Sequence, residues 1–185
     1  MNNLMNNLTK ELRSAIREVP DFPKEGILFL DITTFLNTPL FAKTIDFLAH
    51  RYKDFELDYI CGVESRGFIF GSALAYALKI GFVPIRKPKK LPSKIFIEDY
   101  DLEYGKDSLA IHEDAFAPGS KDPKVLLPKV LLIDDLIATG GSALASERLI
   151  KRASGSIVEA CFLIELMEFK GRDRLDSRTF SLLQI

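Results

Sequence analysis

The sequence predicts an α/β fold built on a central, mostly parallel sheet flanked by helices. Three observations carry that prediction. Short apolar runs at Tyr59–Val63, Phe82–Ile85, Lys129–Ile133 and Ile157–Leu166 lack the alternating polar positions of a sheet with one wet face. Stretches of helical length or character lie between them, the apolar Phe68–Leu78 and the amphipathic Ser142–Arg152. Two of the runs end in polar, chemistry-bearing residues, Glu64–Gly67 and Asp134–Asp135, as expected where loops open beyond the carboxyl ends of parallel strands.

Taken in order, Leu4, Leu8, Leu12 and Ile16 recur at helical spacing, so an amphipathic helix is expected to stop before Pro20. Asp21–Asn37, with two prolines and a glycine, reads as a shaped loop rather than a linker. Pro39 opens a second helix with Phe41, Ile45, Leu48 and Tyr52 on one face. Pro123–Leu127 is copied at once as Pro128–Leu132, too short a unit for a solenoid. Only the second copy runs into Asp134 and suits a central strand; the first is expected to be a surface excursion.

Composition excludes several classes. The chain has 185 residues, 47% of them hydrophobic, and its 25 basic residues nearly cancel its 26 acidic ones for a net charge of −1. Binding nucleic acid by general attraction needs a basic excess. No apolar run reaches the roughly 18–20 residues of a membrane span, and MNNLMNNLTK lacks the basic-then-apolar design of a signal peptide. Cys61 and Cys161 sit far apart in apolar runs, as buried thiols of a reducing compartment would. A soluble cytoplasmic domain is expected, without nucleic-acid or membrane partners. His50 and His112 have no cluster of other metal ligands around them and read as structural.

The strongest chemical signal is VLLIDDLIATGGS, Val130–Ser142. A strand delivers Asp134 and Asp135 to its carboxyl end, and Ala138, Thr139, Gly140, Gly141 and Ser142 lead into a helix. Two glycines let the backbone approach a ligand, and amides at a helix N-terminus bind phosphate. Acceptor carboxylates beside a phosphate cradle suit a sugar phosphate. Neither the P-loop pattern nor G-x-G-x-x-G occurs.

This segment resembles the phosphoribosyl-diphosphate signature of the type I phosphoribosyltransferases. DFPKEGILFLDIT, GVESRGFIFG, GFVPIRKPKKLP, YDLEYGKDSLAIHEDA and IELMEFKGRDRL follow in the order found in the adenine phosphoribosyltransferase family, narrowing the resemblance to it from about Asp21 onward. The resemblance implies a single domain of the type I phosphoribosyltransferase fold over 1–185, with a small hood from about 1–37 and a mobile β-ribbon lid over about 91–109. It implies transfer of adenine to 5-phospho-α-D-ribose 1-diphosphate (PRPP), giving AMP and diphosphate, by a homodimer. Glu64, Ser65, Arg66, Gly67, Arg86, Lys87 and Lys90 would face the diphosphate, and Asp134 and Asp135 the ribose hydroxyls. Residues 138–142 would cradle the ribose phosphate. Ile27, Leu28, Phe29 and Leu30, with Leu166 opposite, would sandwich adenine. Glu103 would handle the purine proton, with Tyr104 beside it in the lid. Mg²⁺ would sit on substrate oxygens and water, with no direct protein ligand.

The chain departs from the family pattern at Lys89, where R-K-x-G-K usually has glycine, at Leu30, where a basic residue is usual, and at Ser142, which replaces a threonine and keeps the hydroxyl. Two rival readings share the PRPP site: a 6-oxopurine or xanthine phosphoribosyltransferase, and a non-catalytic PRPP-binding regulator.

Overall fold

The computed structural model describes residues 2–102, 105–116 and 127–185. The chain divides into two compact units, Met1–Arg51 and Tyr52–Ile185.

In the first unit, α1 (Asn2–Ala15) buries Leu8 and Leu12, the spacing that predicted it. It ends earlier than Pro20 alone required, because β1 (Arg17–Val19) follows and pairs antiparallel with β2 (Phe29–Asp31). Three-residue strands are too short to register as a pattern, so this hairpin was invisible in the sequence. Its loop closes on itself: the Gly26 amide donates to Asp21 Oδ1 at 2.7 Å. The short α2 (Thr33–Leu36) starts where Thr33 donates to Asp31 Oδ1 through both its amide and its hydroxyl, at 2.9 and 2.7 Å. Those bonds, Thr33 foremost and then the paired Arg17, hold Asp31 down to a pKa of about 2. In α3 (Pro39–Tyr52) Ile45, Leu48 and Tyr52 are buried as their spacing demands, with Phe41 half-buried.

The second unit is organised by a five-stranded sheet in the order β4-β3-β7-β8-β9. Its strands are β3 (Tyr59–Val63), β4 (Gly81–Ile85), β7 (Lys129–Ile137), β8 (Ser156–Glu165) and β9 (Thr179–Gln184), and every neighbouring pair is parallel. The helix α4 (Arg66–Leu78) connects β3 to β4, and α5 (Gly141–Arg152) connects β7 to β8. Successive connections leave β3 in one direction and β7 in the other, so the order reverses between these two strands. Right-handed crossovers then put α4 and α5 on opposite faces of the sheet. Between β4 and β7 the chain forms an antiparallel ribbon, β5 (Ile95–Leu102) with β6 (Gly105–His112). The ribbon is tied to the sheet by two bonds exchanged between Arg86 and Ala110, at 2.9 and 2.7 Å.

The core lies around Val63, Ile85, Leu132, Leu149 and Phe162, all of them buried. Cys61 and Cys161 are both buried and not joined in a disulfide, and burial pushes the Cys61 thiol up. The second copy of the duplicated segment is β7, at the centre of the sheet, whereas most of the first copy lies outside the described residues. The carboxyl-terminal β9 had no counterpart in the sequence reading. It covers the outer edge of β8, whose amides and carbonyls would otherwise lack partners. No helix of the described residues is long and apolar enough to cross a membrane.

Candidate active site

The reversal of strand order leaves a crevice beyond the carboxyl ends of β3 and β7. Pairing between them stops at Gly62 opposite Ile133, but β7 continues against β8 as far as Ile137 opposite Glu165. Asp134 and Asp135 therefore lie inside the strand, on the stretch whose β3 side is open. A cavity of about 330 Å³ forms there, lined by Val63–Arg66, Asp134–Leu136 and Ser142, with Tyr100 reaching in from the ribbon. Glu64, Ser65 and Arg66, singled out as one segment, thus meet Asp134, Asp135 and Ser142, singled out as another.

Close backbone approach makes the meeting possible. A Cβ on Gly67 would lie 2.8 Å from Asp134 Oδ1 and 2.9 Å from the Ile133 carbonyl, so the first turn of α4 rests directly on β7. Gly140 caps α5 with φ +78°, a conformation that strains residues bearing a Cβ. The amides of the first turn of α5 have no intrahelical acceptor and are available to an anion.

The charges are paired in a definite way. Glu64 accepts two bonds from the Arg86 guanidinium, one from Lys90 Nζ (each 3.2 Å) and one from the Lys87 amide (3.1 Å). Burial works to raise this carboxyl, but the four bonds outweigh it and hold it at about 2. Lys87 Nζ contacts Asp107 and lies 3.3 Å from the Tyr100 hydroxyl. Burial opposes its charge, and the Asp107 and Tyr100 bonds prevail to raise it. Arg66 Nε lies 2.9 Å from Asp135 Oδ2. That oxygen accepts no hydrogen bond among the described residues, so the contact is electrostatic. Desolvation pushes Asp134 well up, reinforced by the neighbouring Asp135 charge. Asp135 rises for the same first reason, with Arg66 opposing.

Ile27, Leu28, Phe29 and Leu30 belong to the first unit, where Leu28 is exposed and Leu30 buried. Leu166 is half-buried just after β8, its amide donating to the Ile137 carbonyl at 2.9 Å. Glu103 and Tyr104 lie outside the described residues. Lys89 is exposed in a 3-10 turn, Pro88–Lys90. His50 is exposed in the last turn of α3, and His112 ends β6. The sequence reading missed the part of Tyr100 and Asp107. They are cross-strand partners in the ribbon, and only its register, with Leu102 opposite Gly105, puts both beside Lys87. Among the described residues no group of three or more His, Cys, Asp or Glu could hold a metal ion.

The model of the phosphoribosyl transferase domain family matches residues 31–183. Adenine phosphoribosyltransferase of Helicobacter pylori (strain Shi470) is 56% identical over 180 residues, covering 96% of this chain and 97% of that protein. The enzyme of that name from Wolinella succinogenes is 53% identical over 188 residues, with all of both chains covered. This chain belongs to the adenine phosphoribosyltransferase family. Solved family members share the architecture. The Saccharomyces cerevisiae enzyme, complexed with an imino-altritol bisphosphate and adenine, superposes with a TM-score of 0.86 at 41% identity, over 96% of this chain and 99% of that one. The Thermoanaerobacter pseudethanolicus member gives 0.87 at 43% identity, again over 96% and 99%.

Proposed function

We propose that this chain is a purine-salvage transferase that converts adenine and PRPP to AMP and diphosphate. The observation that carries the reading is the crevice between β3 and β7, where Glu64–Arg66 of one motif and Asp134, Asp135 and Ser142 of the other line one cavity. The names of the relatives favour adenine over a 6-oxopurine.

The reaction breaks the bond from ribose C1 to diphosphate and forms one from C1 to a ring nitrogen of adenine, which loses its proton. Arg66, Arg86, Lys87 and Lys90 supply the positive charge that the departing diphosphate requires. Glu64 orients two of them, because Arg86 and Lys90 share its carboxylate. Asp134 and Asp135 accept from the ribose hydroxyls, and their negative charge favours a ring that becomes cationic. The loop 138–142 holds the ribose phosphate. Ile27–Leu30 and Leu166 are assigned to adenine by motif. Glu103 is assigned to the purine proton, which a carboxylate can accept once desolvated. Glu64 is spent on Arg86 and Lys90, and Asp135 faces Arg66. This donor set suits a magnesium ion held on PRPP oxygens and water rather than in a protein cage. Such an ion would neutralise diphosphate charge. A cytoplasmic homodimer completes the reading, on family resemblance.

The test is AMP formation from adenine and PRPP with and without Mg²⁺, with hypoxanthine and guanine as controls. AMP is expected only with adenine and Mg²⁺; turnover of hypoxanthine in its place would replace the reading. Glu103→Gln is expected to reduce kcat by at least a hundredfold while PRPP still binds. Near-normal turnover would remove Glu103 from the chemistry.

A further inference from the structure

Beneath the loop 138–142 lies a segment to which no function has yet been given. After β8 the chain makes two 3-10 turns, Met167–Phe169 and Gly171–Arg174. The second packs on the loop with no room to spare. A Cβ on Gly140 would lie 2.5 Å from the Gly171 carbonyl oxygen, and one on Gly171 would lie 2.8 Å from the Gly140 nitrogen. The turn is itself anchored. Arg172 donates from Nε to Glu165 Oε1 at 2.5 Å and pairs through Nη2 with the other oxygen of that buried carboxylate. From this anchored turn the Arg174 guanidinium reaches out and donates to the Thr139 carbonyl at 3.1 Å.

We propose that Arg174 is a positioning residue for the ribose-phosphate cradle, setting the plane of the Thr139–Gly140 peptide from below. A peptide is planar, so a carbonyl held in one direction fixes its amide in the opposite one. The bond to Arg174 thereby sets where the Gly140 N–H points and how the first turn of α5 presents its amides. Gly140 at φ +78° has no Cβ to restrict it, so the loop needs an external restraint to hold one conformation. The turn supplies it, rigid because Arg172 and Glu165 tie it to the end of β8. Arg174 is itself exposed and touches the loop only through this carbonyl among the bonds described. Its effect is therefore expected in phosphate affinity, not in the chemical step.

The inference rests on the reading of 138–142 as the phosphate cradle, and the experiment separates the two. Full-length wild type, Arg174→Ala and Arg174→Lys are compared in AMP titration calorimetry and in steady-state kinetics with both substrates. Arg174→Ala is expected to raise the Kd for AMP and the KM for PRPP about fivefold, the loss of one charge-assisted bond at an exposed site. The kcat and the KM for adenine should stay within about twofold. Arg174→Lys, whose single ammonium still reaches a carbonyl, is expected to recover most of the loss. If wild type neither binds AMP nor makes it, the functional reading fails. Should wild type do both while Arg174→Ala matches it, the positioning role is overturned. It is equally overturned if Arg174→Ala shifts kcat, both KM values and Tm together, or if lysine is no better than alanine.

Discussion

Two carboxylates on the same cavity carry opposite pH signatures. Glu64 is held at about 2 because, against the pull of burial, Arg86, Lys90 and the Lys87 amide all donate to it. A depressed folded pKa stabilises the fold above the unfolded value near 4.5 and loses that contribution as pH falls toward 2. Glu64→Gln should therefore lower stability by about 2 kcal/mol at pH 7, a penalty that shrinks between pH 4.5 and the acid limit. Asp134 is the reverse case, raised by burial and by Asp135. A raised carboxyl pKa favours the fold at acid pH and opposes it as pH climbs through the folded value. Asp134→Asn should then raise Tm by about 3–6 °C at pH 7.5, with a smaller gain at pH 4.5, while AMP formation collapses. Melting curves at the two pH values, run beside an activity assay, check both variants. A substitution that stabilises the protein and removes its activity marks a residue retained for function.

At the scale of elements, one side chain ties the ribbon to the end of α5. Arg152, in the last turn of α5, donates from Nη1 to the Ile97 carbonyl at 2.8 Å and to Glu98 at 2.7 Å, and lies over the Phe96 ring at 4.8 Å. Ile97 and Glu98 lie midway along β5, so these contacts tie the middle of the ribbon to the far end of α5. Arg152→Ala should speed hydrogen exchange of the β5 and β6 amides by about tenfold, with Tm lowered by only a few degrees. Unchanged exchange would place the ribbon's stability in its own ladder. The elements also show where sequence signals weaken. The amphipathic spacing of α1 and α3 and the apolar run of β3 are local patterns and could be read directly. β9 could not: TFSLLQ has no alternation or run long enough to stand out, and it is a strand because β8 needs a neighbour. The same holds for β1 and β2, each defined only by the other.

For the whole molecule, a net charge of −1 conceals a local gathering of charges of both signs. Arg66, Arg86, Lys87 and Lys90 gather at one crevice, where Glu64, Asp107 and Asp135 already meet three of them and part of a fourth's demand. The attraction left for an anion is local and subject to screening. Raising NaCl from 50 to 500 mM should increase the KM for PRPP about threefold or more, leaving that for uncharged adenine nearly unchanged. Steady-state titrations of each substrate at both salt concentrations measure this.

The sequence by itself determined which chemical groups are available and in what local setting. Asp134, Asp135 and the glycine-rich loop are contiguous, and so are Glu64–Gly67; each motif carries its strand, its turn and its helix start within a dozen residues. The tertiary structure alone decided which group faces which. That Glu64 is shared by Arg86 and Lys90, that Lys87 is met by Asp107 and Tyr100, and that Gly171 packs under Gly140 all depend on strand order and ribbon register. Those are settled by burying the apolar faces of the whole sheet at once. Local patterns report the propensity of a segment, whereas contacts between distant segments exist only after the core that joins them has formed.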